Sequence, residues 1–142
     1  MTAAVRMMEE NVKYVDGVLI VLDARVPHAC INFKLENLFI NKKTLYVLNK
    51  SDLADSFGVK KTLADFKSEG KTAVAVSATD KKTVDFLYAK IFSLLKEKTE
   101  KNKAKGVFKP LRVMVAGIPN TGKSTIINAI VGGKKAQFFL RF

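Results

Sequence analysis

Four short apolar runs recur along the chain: Val18–Asp23 (VLIVLD), Thr44–Asn49 (TLYVLN), Thr72–Ser77 (TAVAVS) and Leu111–Ala116 (LRVMVA). Each is nearly continuous and rich in β-branched residues. That pattern predicts parallel strands covered on both faces. Between the runs the apolar spacing becomes helical. Ala4, Met8, Val12 and Val15 mark one face of an opening helix. Val84, Leu87, Ile91, Leu94 and Leu95 mark another, with Lys81, Lys82, Lys90 and Lys96 pointing away. Phe57–Glu69, closed by Gly70, and Lys123–Val131, closed by Gly132 and Gly133, predict two shorter helices. Lys96–Lys109 reads as a polar linker that begins as a frayed helix end. Strands alternating with helices imply right-handed βαβ crossovers, so the predicted fold class is α/β with a parallel sheet.

The 142 residues suit one domain, and an apolar fraction of 48% is too high for a disordered chain. The longest uninterrupted apolar stretch, Val18–Leu22, is far short of a membrane span, and the start lacks a signal-peptide core. A single cysteine, Cys30, excludes an internal disulfide framework, and without a CxxC or a histidine cluster a zinc site is not expected. The expected compartment is the reducing cytoplasm, with no membrane partner. The net charge of +12 changes the picture more, because residues 101–142 carry nine basic and no acidic side chains. Such a block favours phosphate-rich partners, nucleotide or RNA, although a solvated lysine-rich surface would look the same.

Three of the four predicted strands run into a motif at the carboxyl end, where open parallel sheets hold their ligands. After LRVMVA comes Gly117-Ile-Pro-Asn-Thr-Gly122-Lys123-Ser124, which satisfies GxxxxGK[ST] and opens a helical segment. Gly117 and Gly122 permit a tight loop whose backbone N–H groups wrap phosphates. The helix N-terminus adds partial positive charge. Lys123 reaches the β- and γ-phosphates, and the Ser124 hydroxyl suits Mg²⁺. The alternative is a glycine-rich strand–helix turn with no ligand.

After TLYVLN comes Asn49-Lys50-Ser51-Asp52, an NKxD. The Asp52 carboxylate offers two acceptors to the N1–H and N2–H₂ donors of guanine, whereas adenine presents an acceptor at N1. Asn49 either bonds the other edge of the base or braces the P-loop, and the Lys50 stem covers the ring plane. Read alone, NKxD is equally a solvated turn. The third motif, Ser77-Ala78-Thr79, ends TAVAVS and would let a backbone N–H approach guanine O6, a meaning it takes only from the other two. Asp23-Ala24-Arg25-Val26-Pro27 also ends a strand, and it either borders the site or forms a surface ion pair. His28 and Cys30 read as a loop residue and a core filler.

The motif order NKSD, SAT, then GIPNTGKST, with DARVP on the preceding strand, resembles the circularly permuted ribosome-assembly GTPases of the RbgA/YlqF group. The resemblance extends to about Gln137. It implies a three-layer Ras-like P-loop fold, here permuted and incomplete, with GTP or GDP and Mg²⁺ as ligands. It further implies a part in assembling the large ribosomal subunit. Base reading falls to Asn49, Lys50, Ser51, Asp52, Ser77 and Ala78. Phosphate binding falls to Gly117, Asn120, Thr121, Gly122, Lys123, Ser124 and Thr125, with Ser124 as the metal ligand. The family's leading Phe-Pro-Gly-His-Met segment, its switch threonine, its DxPG and its helical RNA-binding domain are missing from the 142 residues. The expectation is therefore a copy of roughly the first half, with no assignable catalytic residue and little GTP hydrolysis.

Two other classes compete. One is a nucleotide-independent RNA-binding remnant using the basic tail; its binding would not depend on Asp52. The other is a P-loop ATPase or kinase with an accidental NKSD. One consequence of the half-copy reading is physical. With no strand after residue 142, Leu111–Ala116 becomes a bare sheet edge that Phe138–Phe142 covers only in part, and self-association through it is expected.

Overall fold

The computed structural model of the chain describes residues 6, 9–10, 12–31, 33–106, 111–117, 121–131 and 138–141. Five strands form one sheet: β1 (Gly17–Asp23), β2 (Lys43–Asn49), β3 (Thr72–Ala75), β4 (Leu111–Ala116) and β5 (Phe138–Arg141). Their order is β3-β2-β1-β4-β5, and every neighbouring pair is parallel. The helices are α1 (Phe33–Leu38), α2 (Ser56–Ser68), α3 (Lys81–Ala104) and α4 (Lys123–Val131).

Alternate side chains of the strands feed two cores. On one face Leu19, Val21, Leu45, Val47, Val113 and Val115 pack with Leu87, Ile91 and Leu95 of α3 and Ile126, Ile127 and Ile130 of α4. On the other, Val18, Ile20, Leu22, Tyr46, Leu48 and Met114 pack with Phe39 and with Val59 and Phe66 of α2. Both faces of the sheet are thus covered, which is why the strands are apolar throughout. The α/β prediction holds.

Three details differ from the sequence expectation. First, Leu111–Ala116 is not an edge. β5 pairs with it in parallel, from Leu111↔Phe138 to Met114↔Arg141, so the outer strand on that side is β5. Alternation of hydrophobicity cannot announce so short a strand, and the tail reads equally well as a loose apolar cover. Second, the polar stretch after Lys96 is helix as far as Ala104, with ion pairs Lys96–Glu100 (4.0 Å) and Glu97–Lys101 (3.6 Å) along it. Lysine and glutamate are good helix formers and such pairs add a few tenths of a kcal/mol each, so the segment needs no apolar face to stay helical. Third, Val12–Tyr14 is a single 3₁₀ turn with Val15 buried behind it, while Ala4 and Met8 lie outside the described residues. Gly132 and Gly133, the expected stop of α4, also lie outside them.

Helix starts are set by side chains the apolar pattern does not show. Asp55 accepts from the Gly58 N–H (3.0 Å) to open α2, and Asp80 accepts from the Lys82 N–H (3.1 Å) to open α3. Gly70, at φ +78°, closes α2 as expected, letting the Lys71 N–H return to the Phe66 carbonyl at 2.8 Å.

Candidate nucleotide-binding site

Because β1 lies between β2 and β4, Asp23 stands beside Asn49 and Gly117 comes up against Val21 at the carboxyl end of the sheet. NKSD and the P-loop, far apart in sequence, therefore meet in space. Asn49 is buried, and its Nδ2 donates to the Thr121 carbonyl at 3.0 Å. Of the two roles open to Asn49, the structure shows bracing of the P-loop. Its Oδ1 is buried with no hydrogen-bond partner among the described residues.

Two glycines make this approach possible. A Cβ on Gly122, which sits at φ +88°, would overlap Asn49 Nδ2. A Cβ on Gly117 would stand 2.7 Å from the Val21 carbonyl oxygen of β1. Thr121 is buried, Gly122 and Lys123 are half-buried, and Ser124 and Thr125 are exposed on the first turn of α4. The Ile126 N–H returns to the Gly122 carbonyl (3.0 Å), so the helix starts directly from the loop. Asn120 lies outside the described residues.

Lys50 takes the left-handed conformation, φ 60°, and turns the chain from β2 into a 3₁₀ turn over Ser51–Leu53. Ser51 is half-buried and its N–H reaches across to the Val76 carbonyl (3.2 Å). Asp52, in that turn, is exposed. The third motif begins past the end of β3, because Val76 makes the last bond to β2 through the Leu48 carbonyl (2.8 Å). Ser77 is buried, Ala78 half-buried. Thr83 of α3 closes this turn: its hydroxyl accepts from the Ser77 N–H (3.0 Å) and lies 2.8 Å from the Ser77 carbonyl. No spacing rule singles out Thr83 in the sequence. All the motif residues inside the described set gather at one end of the sheet.

The DAR segment borders the site and forms an ion pair at once. Asp23 is buried, and its carboxylate accepts from Arg25 through the backbone N–H (2.9 Å), Nε (3.0 Å) and Nη2 (2.7 Å). Lys50 Nζ stands 3.5 Å away on the other side. The Arg25 guanidinium's hydrogen bonds hold the Asp23 carboxyl down at about 2 against the opposing effect of burial, with Lys50 helping. A group whose pKa is lower folded than unfolded adds stability above its unfolded value and loses it as pH falls. We expect this contribution to be complete above about pH 4 and to fade toward pH 2. It amounts to no more than about 2 kcal/mol, since Arg25 is half exposed and screened. Urea midpoints of the wild type and Asp23→Asn at pH 6 and pH 3 check it: the gap between the two proteins should narrow at pH 3. An unchanged gap would remove the pair from the acid response.

A family model described as 50S ribosome-binding GTPase matches residues 112–138. The chain is 37% identical over 139 residues to ribosome biogenesis GTPase A of Priestia megaterium, covering 96% of this chain and 48% of that protein. The GNP-bound YlqF structure from Thermotoga maritima superposes with a TM-score of 0.64 at 31% identity, covering 94% of this chain and 50% of that one. Over most of its length the chain is similar to the RbgA/YlqF group of GTPases. The GDP-bound YlqF structure gives a TM-score of 0.62 over 91% of this chain and 49% of that one. The chain spans about half the length of the curated relatives it matches. Among its described residues, no helix is long and apolar enough to cross a membrane, and no group of three or more His, Cys, Asp or Glu side chains is gathered to hold a metal.

Proposed function

We propose that this chain binds GTP and GDP through the joined NKSD and P-loop, as the permuted guanine-nucleotide domain of a large-subunit assembly factor. The observation that carries the reading is the Asn49–Thr121 hydrogen bond, which ties the NKSD segment to the P-loop. Asp52, exposed beside it, offers its two oxygens to the guanine N1–H and N2–H₂. Lys123 meets the β- and γ-phosphates, and the backbone N–H groups from Thr121 to Thr125 wrap them. Ser124 fits Mg²⁺, which needs few protein ligands when phosphates and waters supply the rest, and its exposure at the start of α4 leaves room for them. The bound ion would supply charge neutralisation between the phosphates. No described residue is assigned to activating water, so nucleotide binding is the activity these residues carry.

The partner is the large ribosomal subunit or its rRNA, and the cytoplasm is the proposed setting. The exposed lysines at the far end of α3 and the basic residues after them supply charge for phosphate backbones. Calorimetric titration of the purified chain with GDP and with ADP tests the reading. GDP should bind at least a hundredfold more tightly. Equal affinities would reject the guanine assignment.

A further inference from the structure

We propose that Asp23 is a positioning residue for the nucleotide site: through its carboxylate it fixes the Lys50 ammonium, and thereby the lysine stem that flanks the P-loop. The inference rests on the guanine-nucleotide reading above and assigns a role to a residue outside the three nucleotide motifs. Asp23 stands directly beside Asn49 in the parallel register of β1 and β2, so the residue that follows Asn49 passes close to its carboxylate. The Ala24 N–H donates to the Asn49 carbonyl at 2.8 Å, which pins the two strand ends together at this point. Asp23 Oδ2 then lies 3.5 Å from Lys50 Nζ, with the Asp23 side chain only 9% exposed. From there the Lys50 stem runs toward the P-loop, its Cε 3.8 Å from where a Gly122 side chain would begin.

The sharing of one carboxylate between two cations explains the sequence DAR. Arg25 binds Asp23 by two side-chain nitrogens and its own backbone N–H, and the Asp23 Oδ2 that meets the guanidinium also faces Lys50. A lysine tail has four rotatable bonds, and holding it costs rotamer entropy. With Asp23 in place the tail is ordered before a nucleotide arrives, so less ordering remains for binding to impose. Without that carboxylate two cations face each other across a buried position.

A double-mutant cycle on GDP affinity tests the proposal. Asp23→Asn should weaken GDP at least tenfold in the wild-type background and by less than threefold when Lys50 is already Ala, because the effect passes through that side chain. An equal loss in both backgrounds would overturn the proposal. Arg25→Ala separates the two cations and, being at a half-exposed residue, keeps the fold measurable should Asp23→Asn unfold. It should leave GDP affinity within threefold. A tenfold loss would place the function in the Asp23–Arg25 pair instead and overturn the Lys50 role. If the wild type binds no GDP at all, the failure belongs to the guanine reading, and circular dichroism of the same sample shows whether the fold was present.

Discussion

Lys123→Ala is expected to lower GDP affinity by about a hundredfold, which is about 2.7 kcal/mol of binding. Lys123 is the first residue of α4, half-buried between the P-loop and the helix it opens. Among the described residues no carboxylate pairs with it, so its charge is held for an incoming anion. A hydrogen bond between ions in such a setting is worth about 1.5–3 kcal/mol. Truncation also leaves the phosphate opposite without its neutralising charge. The loop itself should stand, because its shape depends on Gly117, Gly122 and the Asn49–Thr121 bond. Titration calorimetry against GDP, with a thermal melt as a control for folding, is the check. Affinity within fivefold of wild type would mean that the phosphates sit elsewhere.

Asp52→Asn should convert a guanine site into one that prefers xanthine. The 3₁₀ turn leaves Asp52 exposed, with two acceptors for the two donors of guanine. Asparagine keeps one acceptor and supplies one donor, which matches xanthine, where a carbonyl replaces the exocyclic amine. Each mismatched polar contact costs about 1–3 kcal/mol once a bound base covers it, so the ratio of GDP to XDP affinity should swing by about two orders of magnitude or more. Competition of the two nucleotides against a fluorescent GDP measures that ratio directly. A parallel loss of both, with no change of ratio, would show that Asp52 supports the turn and does not read the base.

Much of this site is legible in the chain before any coordinates. GKST after an apolar run and NKSD after another need only the rule that ligands lie at the carboxyl ends of parallel strands. That they touch follows from strand order, and strand order is where local reading stops. The sequence leaves open whether Asn49 braces the P-loop or bonds the base, and does not single out the Thr121 carbonyl; nothing near Ser77 announces the hydroxyl of Thr83. The DAR segment shows the same limit: its sequence permits a surface pair or a site residue, and the carboxylate turns out to serve Arg25 and Lys50 together. α2 and β1, held by apolar periodicity, fall within a residue or two of their predicted bounds, whereas the opening helix expected through Val12 and Val15 is a 3₁₀ turn at Val12–Tyr14. Among the elements the sequence does not announce are the short α1, β5 and the last turns of α3; the last two owe their form to pairing and to helix propensity, which leave no periodic trace.

The Asn49–Thr121 bond joins residues 72 positions apart, and that separation orders events during synthesis. A ribosome making this chain delivers NKSD several seconds before the P-loop, at the usual rate of about 5–20 residues per second. In that interval β2 can already pair with β3, yet the base-reading loop has no phosphate loop to close on. A long-range contact of this kind pays its loop-closure entropy late in folding. On the proposed reading, nucleotide capture would then report on the last steps of folding, and a nascent chain halted before Lys123 would leave its cell's GTP pool untouched.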